Sequence, residues 1–210
     1  LERHYPHVPR ATEAERAWQR PDIEAVLIAT PILTHAALVR AALEAGKHVF
    51  VEKPLATTAA DAQALTELAA RRGRVLFVGH VFLHHPALAR IRGLIADDPV
   101  RAAVMSWQKF GTFDEDLWWN LFPHEIAITI ALFGGNVQEA SILHEAGFVT
   151  PCDAAAIRLQ FGQDRDCVVN VNRCAPGRAK LVTLRTAGGR VLSWDGDRLL
   201  LSVFTLTPGR

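Results

Sequence analysis

Short apolar runs alternate with segments of helical periodicity in the first part of the chain. Segment 34–44 repeats apolar residues at helical spacing, and Gly46 is placed as its C-terminal cap. A capping pattern at Thr58 begins a second helical segment, which runs to Gly73. Three compact apolar runs have the length of buried parallel strands: 23–30, 48–51 and 75–78. This alternation predicts an α/β fold with a parallel, doubly wound sheet.

The pattern changes after Gly79. A helix is predicted to begin near Pro86, a strand follows at 102–107, and a second long helix covers 120–133. The remaining segments are short and strand-like, with proline and glycine turn signals between them. This half therefore predicts an α+β domain with an open, mainly antiparallel sheet, and the domain boundary is expected near His80.

The glycine-rich loop that normally opens a dinucleotide-binding fold is missing, since no glycine precedes Gly46. We therefore expect the sequence to begin partway through such a fold, and Leu1 in place of an initiator Met agrees with this expectation. Residues 1–80 would form a partial Rossmann domain that lacks its first βαβ half. Residues 81–210 would form the second domain.

The composition excludes several kinds of partner. The net charge is +1 at pH 7, so bulk charge provides no attraction to nucleic acid or to a membrane surface. Half of the residues are hydrophobic, which is enough for a real core, but no apolar run approaches the length that spans a bilayer. No signal peptide is recognised. We expect neither nucleic acid nor a membrane as a partner.

The three cysteines, Cys152, Cys167 and Cys174, are an odd number at no recognised metal spacing. Small buried or half-buried thiols are a better interpretation than metal ligands or a disulfide pair. This usage predicts a reducing compartment, the cytoplasm.

The first candidate for chemistry is the tripeptide Glu52-Lys53-Pro54, which directly follows an apolar strand. The carboxyl end of a strand is where ligands bind in open α/β sheets. Charges placed near a core lose hydration, which is unfavourable unless something nearby uses them. The tripeptide alone leaves two interpretations open, a functional lysine and an ordinary salt bridge at a sheet edge.

The second candidate lies at the start of the predicted helix 120–133. Asn120 is a good N-cap type, and Pro123 is tolerated in a first helical turn. His124 is four residues after Asn120, so the two side chains would share a helix face. A helix N-terminus favours the neutral imidazole, the form that a general base needs. The alternative is a capping asparagine beside a partly buried histidine.

The other histidines are weaker candidates. His84 and His85 are adjacent, which favours a solvent-facing pair over a metal site. His35 follows the first strand and is either part of a cofactor-contacting loop or simply the first turn of a helix.

Several segments together resemble the Gfo/Idh/MocA family of NAD(P)-dependent oxidoreductases. The resemblance is carried by Ala29-Thr30-Pro31 with His35, by 42–56, by Val78-Gly79-His80 with Pro86, and by Pro123-His124 running to Gly134. It implies a Rossmann domain followed by a substrate-binding domain, whose open sheet commonly forms a dimer through its exposed face. It also implies hydride exchange between NAD or NADP and a sugar or polyol hydroxyl.

Within this family, segments 117–125 and 147–178 most resemble the dehydrogenases that oxidise UDP-N-acetyl amino sugars at C3. Carried over by position, Lys53 would polarise the reacting oxygen and His124 would take or return its proton. The resemblance also assigns binding residues: Thr30, Pro31, His35, Glu52 and Lys53 for the cofactor, and Asn120 and Arg178 for the substrate. The family pattern also suggests that a final helix would follow the last strands.

A second function remains open on the sequence. Asn120 stands where many relatives carry Asp, and the acidic segment 114–116 suits a diphosphate poorly. With the missing glycine loop, these departures are also compatible with a non-catalytic relative that binds a sugar or a partner.

Overall fold

The computed structural model describes His4 and residues 6–205. The chain forms two compact units, which divide between Gly79 and His80. Within its described residues, the first unit contains three α-helices and three strands: α1 (Glu15–Trp18), β1 (Ala25–Ile28), α2 (His35–Glu44), β2 (His48–Glu52), α3 (Ala59–Arg72) and β3 (Leu76–Gly79). Its strands pair in parallel in the order β1-β2-β3. The predicted parallel sheet is confirmed.

The helix boundaries of this unit follow from local capping. The Thr58 hydroxyl accepts a hydrogen bond from the Asp61 backbone N–H at 3.1 Å, as the capping pattern predicts. Gly73 ends α3 in the left-handed conformation, with φ of 62°. Helix α2 begins one residue later than predicted, because Ile32–Thr34 form a 3₁₀ turn.

The two faces of the parallel sheet differ. On one face, strand residues such as Ile28, Val49 and Val51 form a core with apolar residues of α2 and α3. On the other face, Leu27, Phe50 and Phe77 lie side by side in register, and Leu27 is 68% exposed. Both long helices of this unit therefore cover the same face, as right-handed crossovers between neighbouring parallel strands require.

The second unit is an open seven-stranded sheet with helices on one face. Its elements are α4 (Pro86–Leu94), β4 (Val100–Phe110), α5 (Leu117–Asn120), α6 (Phe122–Phe133), β5 (Glu139–Ala146), β6 (Ala154–Gln160), β7 (Asp166–Asn172), β8 (Cys174–Thr186), β9 (Arg190–Asp195) and β10 (Leu200–Thr205). The strand order is β10-β9-β8-β4-β7-β6-β5. Only β4 and β7 pair in parallel among these strands. The predicted open, mainly antiparallel sheet is confirmed.

The core of this unit follows the period-two alternation of its strands. Met105, Val169 and Leu184 are buried on one face and belong to a single cluster with Ile128 of α6. Strand β4 is longer at both ends than the predicted 102–107.

The long helix predicted at 120–133 is α6, which begins two residues later at Phe122, and the prediction that Asn120 caps it is wrong. Asn120 is the last residue of α5, which begins with Asp116 accepting from the Trp118 N–H at 2.7 Å. Helix α6 begins after Leu121 with Pro123 in its first turn. Proline has no N–H to donate to the preceding turn, so one continuous helix would lose a hydrogen bond here.

All three thiols are buried or half-buried, as predicted: Cys167 is buried, and Cys152 and Cys174 are intermediate. Among the helices of the described residues, none has the length and apolar composition needed to cross a membrane.

Candidate functional site

The residues predicted to flank a cofactor lie at the carboxyl edge of the parallel sheet. Thr30 and Pro31 follow β1 and are exposed, while Glu52 ends β2 and Lys53 follows it, both half-buried. Parallel strands end at the same edge, so the fold brings the two loops together.

A buried histidine connects these two loops. His35 is the first residue of α2 and is 1% exposed. Its Nδ1 lies 2.7 Å from the carbonyl oxygen of Pro54, and its Nε2 lies 2.9 Å from the carbonyl oxygen of Thr30. His35 thus holds the loop after β1 against the loop after β2.

The edge is tightly packed around Glu52. The Lys53 backbone N–H donates to the Glu52 carboxylate at 3.3 Å. Gly79 pairs with Glu52 in the sheet, and a Cβ at this glycine would lie 3.1 Å from the Phe50 ring and 3.3 Å from the Glu52 carboxylate. A side chain at position 79 would therefore be crowded by Phe50 and Glu52, and glycine avoids this crowding.

In the second unit, His124 is buried in the first turn of α6 between two aromatic rings. Its ring centroid lies 5.1 Å from that of Phe82, at an interplanar angle of 90°, and 5.1 Å from that of Trp107, at 52°. Asn120 is also buried, and its side-chain amide donates to the Glu115 carboxylate at 2.6 Å. The structure therefore gives the predicted substrate residue Asn120 an acidic neighbour.

Beside His124 lies a buried ion pair that the sequence analysis missed. Lys180 of β8 donates to Glu125, the residue that follows His124 in α6, and both side chains are at most 3% exposed. The Lys180 Nζ lies 4.0 Å from the centroid of Phe82 and 3.9 Å from that of Trp107. The alternation of apolar residues along β8 could have indicated that Lys180 is buried, because Lys180 lies on the same side of the strand as the buried Val182 and Leu184.

The environment of this pair disfavours both charges. Burial raises the pKa of the Glu125 carboxyl, and the Lys180 ammonium opposes that rise. Burial likewise lowers the pKa of Lys180, and Glu125 opposes that fall. Each group therefore favours the charged form of the other, against the effect of burial.

A second buried pair joins two loops of this unit. Arg173 is 3% exposed, and its Nε lies 2.9 Å from Asp153. Its other nitrogens donate to the Thr150 hydroxyl at 2.6 Å and to the Thr112 carbonyl at 3.0 Å. Burial would raise the pKa of Asp153, but hydrogen bonds from Thr150 and from the N–H groups of 148–150 hold that pKa well below its ordinary value.

The predicted substrate residue Arg178 lies at an irregularity where β4 and β8 lose register, between Gln108 and Phe110. Arg178 is exposed and its Nε lies 2.7 Å from Asp197. Lys109, within the same irregularity, donates to the Thr112 hydroxyl at 2.6 Å. Burial lowers the pKa of Lys109, and Arg178 lowers it further.

Four cations therefore gather in this part of the second unit: Lys109, Arg173, Arg178 and Lys180. Three of them have a carboxylate partner. Within the described part of the chain, Lys109 is the one without a carboxylate at salt-bridge distance.

The expectation of a solvent-facing histidine pair is wrong for His85. His85 accepts from the Ala87 N–H through Nδ1 at 3.1 Å and caps α4. Its ring lies 4.9 Å from that of Trp194. An imidazole nitrogen can replace the usual hydroxyl or carboxylate as an N-cap acceptor, and His85 is intermediate in burial rather than exposed. His84 is exposed.

A parallel sheet with polar residues at its carboxyl edge, followed by an open antiparallel sheet, defines a two-unit Rossmann-type protein. Residues 2–80 match a family model described as the GFO_IDH_MocA oxidoreductase family, NAD-binding Rossmann fold. The chain belongs to the Gfo/Idh/MocA oxidoreductase family, as its sequence motifs implied.

Curated relatives extend the similarity beyond the first unit. The chain is 37% identical over 175 residues to the dTDP-3,4-didehydro-2,6-dideoxy-alpha-D-glucose 3-reductase of Actinomadura kijaniata, a match covering 81% of this chain and 51% of that protein. It is 31% identical over 136 residues to the UDP-N-acetylglucosamine 3-dehydrogenase of Acidithiobacillus ferrooxidans, covering 64% of this chain and 44% of that protein. The matched segments thus span about half of each relative or less.

The solved structures support the fold. The UDP-N-acetylglucosamine 3-dehydrogenase GnnA from Acidithiobacillus ferrooxidans superposes with a TM-score of 0.86 at 23% sequence identity, covering 94% of this chain and 65% of that chain. At this identity the superposition shows a shared fold.

Proposed function

We propose that the protein is an NAD(P)-dependent oxidoreductase that transfers a hydride between a nicotinamide cofactor and a hydroxyl-bearing carbon of a sugar or nucleotide sugar. The observation that carries this proposal is the position of Lys53. It follows β2 directly at the carboxyl edge of a sheet whose residues match an NAD-binding family. The activities named for the two curated relatives support the sugar as the substrate class.

The carboxyl edge has the properties of a cofactor site. Thr30 and Pro31 are exposed there, Glu52 and Lys53 are half-buried, and Gly79 contributes no side chain. These residues would flank the cofactor, and His35 would hold their loops in place. NAD or NADP, when bound, supplies the hydride acceptor or donor.

The two candidate catalytic residues have complementary roles. As a hydride leaves a carbinol carbon, its oxygen gains carbonyl character and the hydroxyl proton must depart. His124 takes that proton during oxidation and returns it during reduction. The Lys53 ammonium stabilises the negative charge that develops on the oxygen.

Lys109 and Arg178 favour a substrate that carries an anionic group. Lys109 is a half-buried cation without a carboxylate partner among the described residues, and Arg178 is exposed close to it in the same irregularity of β4 and β8. The Glu115 carboxylate acts on Lys109 only from beyond salt-bridge distance, so a phosphoryl group would supply a direct counter-charge. A nucleotide sugar, the substrate class in the names of both relatives, carries such a group.

The test is turnover of the full-length protein with NAD or NADP and a panel of UDP- and dTDP-sugars, followed through the absorbance of the reduced cofactor. Lys53→Met is expected to lower kcat roughly 100-fold to 1,000-fold. His124→Gln is expected to lower it roughly 100-fold or more.

Lys47→Met is the matched control, because Lys47 lies at the opposite end of β2 and donates to the Arg20 carbonyl. It should change stability and leave kcat unaltered. Wild-type kcat in Lys53→Met would remove the catalytic assignment. Sugar binding without any turnover would instead favour the non-catalytic binding protein.

We also propose that the exposed face of the seven-stranded sheet joins a second copy of the chain. Val104, Leu181 and Phe204 are exposed on the face opposite the helices. The double variant Val104→Lys/Leu181→Lys should shift the sedimentation profile of the full-length protein from dimer to monomer.

The three cysteines without a disulfide support a reducing cytoplasm as the location.

A further inference from the structure

Lys180 and His124 rest on the same two aromatic rings. The Lys180 Nζ lies in van der Waals contact with the rings of Phe82 and Trp107, 4.0 and 3.9 Å from their centroids. Both rings also contact the His124 imidazole. Trp107 and Lys180 are direct partners in the pairing of β4 with β8. A shift of the ammonium would therefore move the rings that bound the imidazole.

The backbone side of His124 is anchored to the same ammonium. Glu125 follows His124 in α6, and its carboxylate is bound by Lys180. One turn later, the Thr129 hydroxyl donates to the Glu125 carbonyl at 2.8 Å and also contacts the Met105 sulfur of β4. The first turn of α6 is thus attached to the sheet through Glu125, directly beside the candidate catalytic histidine.

Stability does not explain this pair. Burying two charges costs several kcal/mol per ion, and apolar residues of similar size often stabilise a protein as well or better. The second carboxylate oxygen of Glu125, Oε2, is buried and has no hydrogen-bond partner among the described residues. Burial of this ion pair is unfavourable and one carboxylate oxygen has no partner. A contribution to stability therefore does not account for the pair, which indicates another role.

We infer that the Lys180–Glu125 ion pair positions His124 for proton transfer. Lys180 holds the imidazole from two directions, through the Phe82 and Trp107 rings and through the Glu125 backbone. It is a positioning residue, because at 2% exposure it is inaccessible to a substrate. The inference rests on the proposed function, in which His124 accepts the substrate proton.

The decisive variant is the double substitution Lys180→Met/Glu125→Leu in the full-length protein. It removes both charges together, so no unpaired charge remains in the core and the protein should fold with wild-type thermal stability or better. We expect kcat to fall roughly 10-fold to 100-fold, as for a misplaced catalytic group. KM should stay within about threefold, because substrate contacts are unchanged.

The single variants separate charge from packing. Lys180→Met leaves Glu125 buried without a partner, so it should lose both stability and kcat. Lys180→Arg retains a cation that stacks on aromatic rings and pairs with a carboxylate, so it should recover part of the kcat lost in Lys180→Met.

The matched control is Arg165→Met. Arg165 also places a cation over an aromatic ring of α6, 5.6 Å from the Phe133 centroid, but at the opposite end of the helix from His124. This variant should lower stability and leave kcat at the wild-type value.

A readout independent of turnover is the NMR spectrum of isotope-labelled histidine rings, with the His124 signals assigned through His124→Gln. The double variant should shift or broaden the His124 signals, and Arg165→Met should not. Wild-type kcat together with unchanged His124 signals in the double variant would overturn the inference. If His124→Gln itself retains full turnover, the proposed function fails, while the ring signals still decide whether the pair positions His124.

Discussion

The Nδ1 of His35 lies 2.7 Å from the carbonyl oxygen of Pro54, a residue 19 positions further along the chain. The other ring nitrogen faces the carbonyl oxygen of Thr30 at 2.9 Å. A single buried imidazole therefore links the loops that follow β1 and β2, the two loops that would flank a cofactor.

Replacing His35 should loosen both loops. His35→Ala removes the imidazole that contacts the Thr30 and Pro54 carbonyl oxygens, so these carbonyls lose a buried partner. We expect the free energy of unfolding to fall by roughly 1–3 kcal/mol. Urea denaturation measures this loss, and calorimetric titration should show weaker NAD binding by the full-length protein. His144, an exposed residue of β5 in the second unit, provides the control, because His144→Ala should alter neither quantity. Wild-type NAD affinity in His35→Ala would show that the link does not shape the cofactor edge.

Adding a single methyl group at Gly79 should disturb the same edge. The Cβ of Gly79→Ala would press on the Phe50 ring and the Glu52 carboxylate at 3.1 and 3.3 Å. We expect a destabilisation of roughly 1–3 kcal/mol and a higher KM for NAD. Gly93→Ala is the matched control: this glycine lies in α4 with open space around its Cβ position, so alanine should stabilise the helix by about 0.5–1 kcal/mol. Equal effects of the two substitutions would contradict the packing argument.

The second unit should lose stability in acid through Asp153. Its pKa is lower in the folded protein than the ordinary value of 3.8, so the carboxylate stabilises the fold at pH values above 3.8. That stabilisation is lost progressively as the pH falls below 3.8 towards the folded-state pKa. Asp153→Asn should therefore be less stable than the wild type at pH 7 and should show a flatter acid dependence in urea denaturation. Asp97→Asn, at an exposed position, should reproduce the wild-type profile.

The thiols should differ in reactivity. Burial raises the pKa of Cys167 to about 12, so at pH 8 only about one thiol in ten thousand is ionised. In the folded protein, iodoacetamide should alkylate the half-buried Cys152 and leave Cys167 unmodified, as measured by peptide mass spectrometry. Unfolding in urea should expose Cys167 to the reagent. Rapid alkylation of Cys167 in the folded state would show that this part of the core opens readily.

Much of the first unit could be predicted because its signals are local. The Thr58 cap, the left-handed Gly73 and the apolar runs of the three strands each depend on a few neighbouring residues. The short helix α5 was missed, and the long helix begins at Phe122 rather than at Asn120. Asn120 is a favourable N-cap type, and this preference placed the helix start two residues too early.

The candidate site was predictable only in part. The motif around Lys53 and the histidine at the start of α6 could be found in the sequence, and their catalytic roles remain predictions. Glu125 and Lys180 were missed, because charged residues in a predicted helix and strand are expected to face solvent. Only the strand alternation placed Lys180 on the apolar side of β8.

By itself, the sequence determined the alternation of strands and helices in the first unit, the two caps of α3 and the family to which the chain belongs, because these depend on short segments. The tertiary structure alone decided which distant side chains surround His124. Phe82, Trp107 and Lys180 meet there because β4 pairs with β8 in one particular register, with Trp107 opposite Lys180. A shift of one residue would place a different residue opposite Trp107, so the neighbours of Lys180 depend on a long-range pairing that no local pattern specifies.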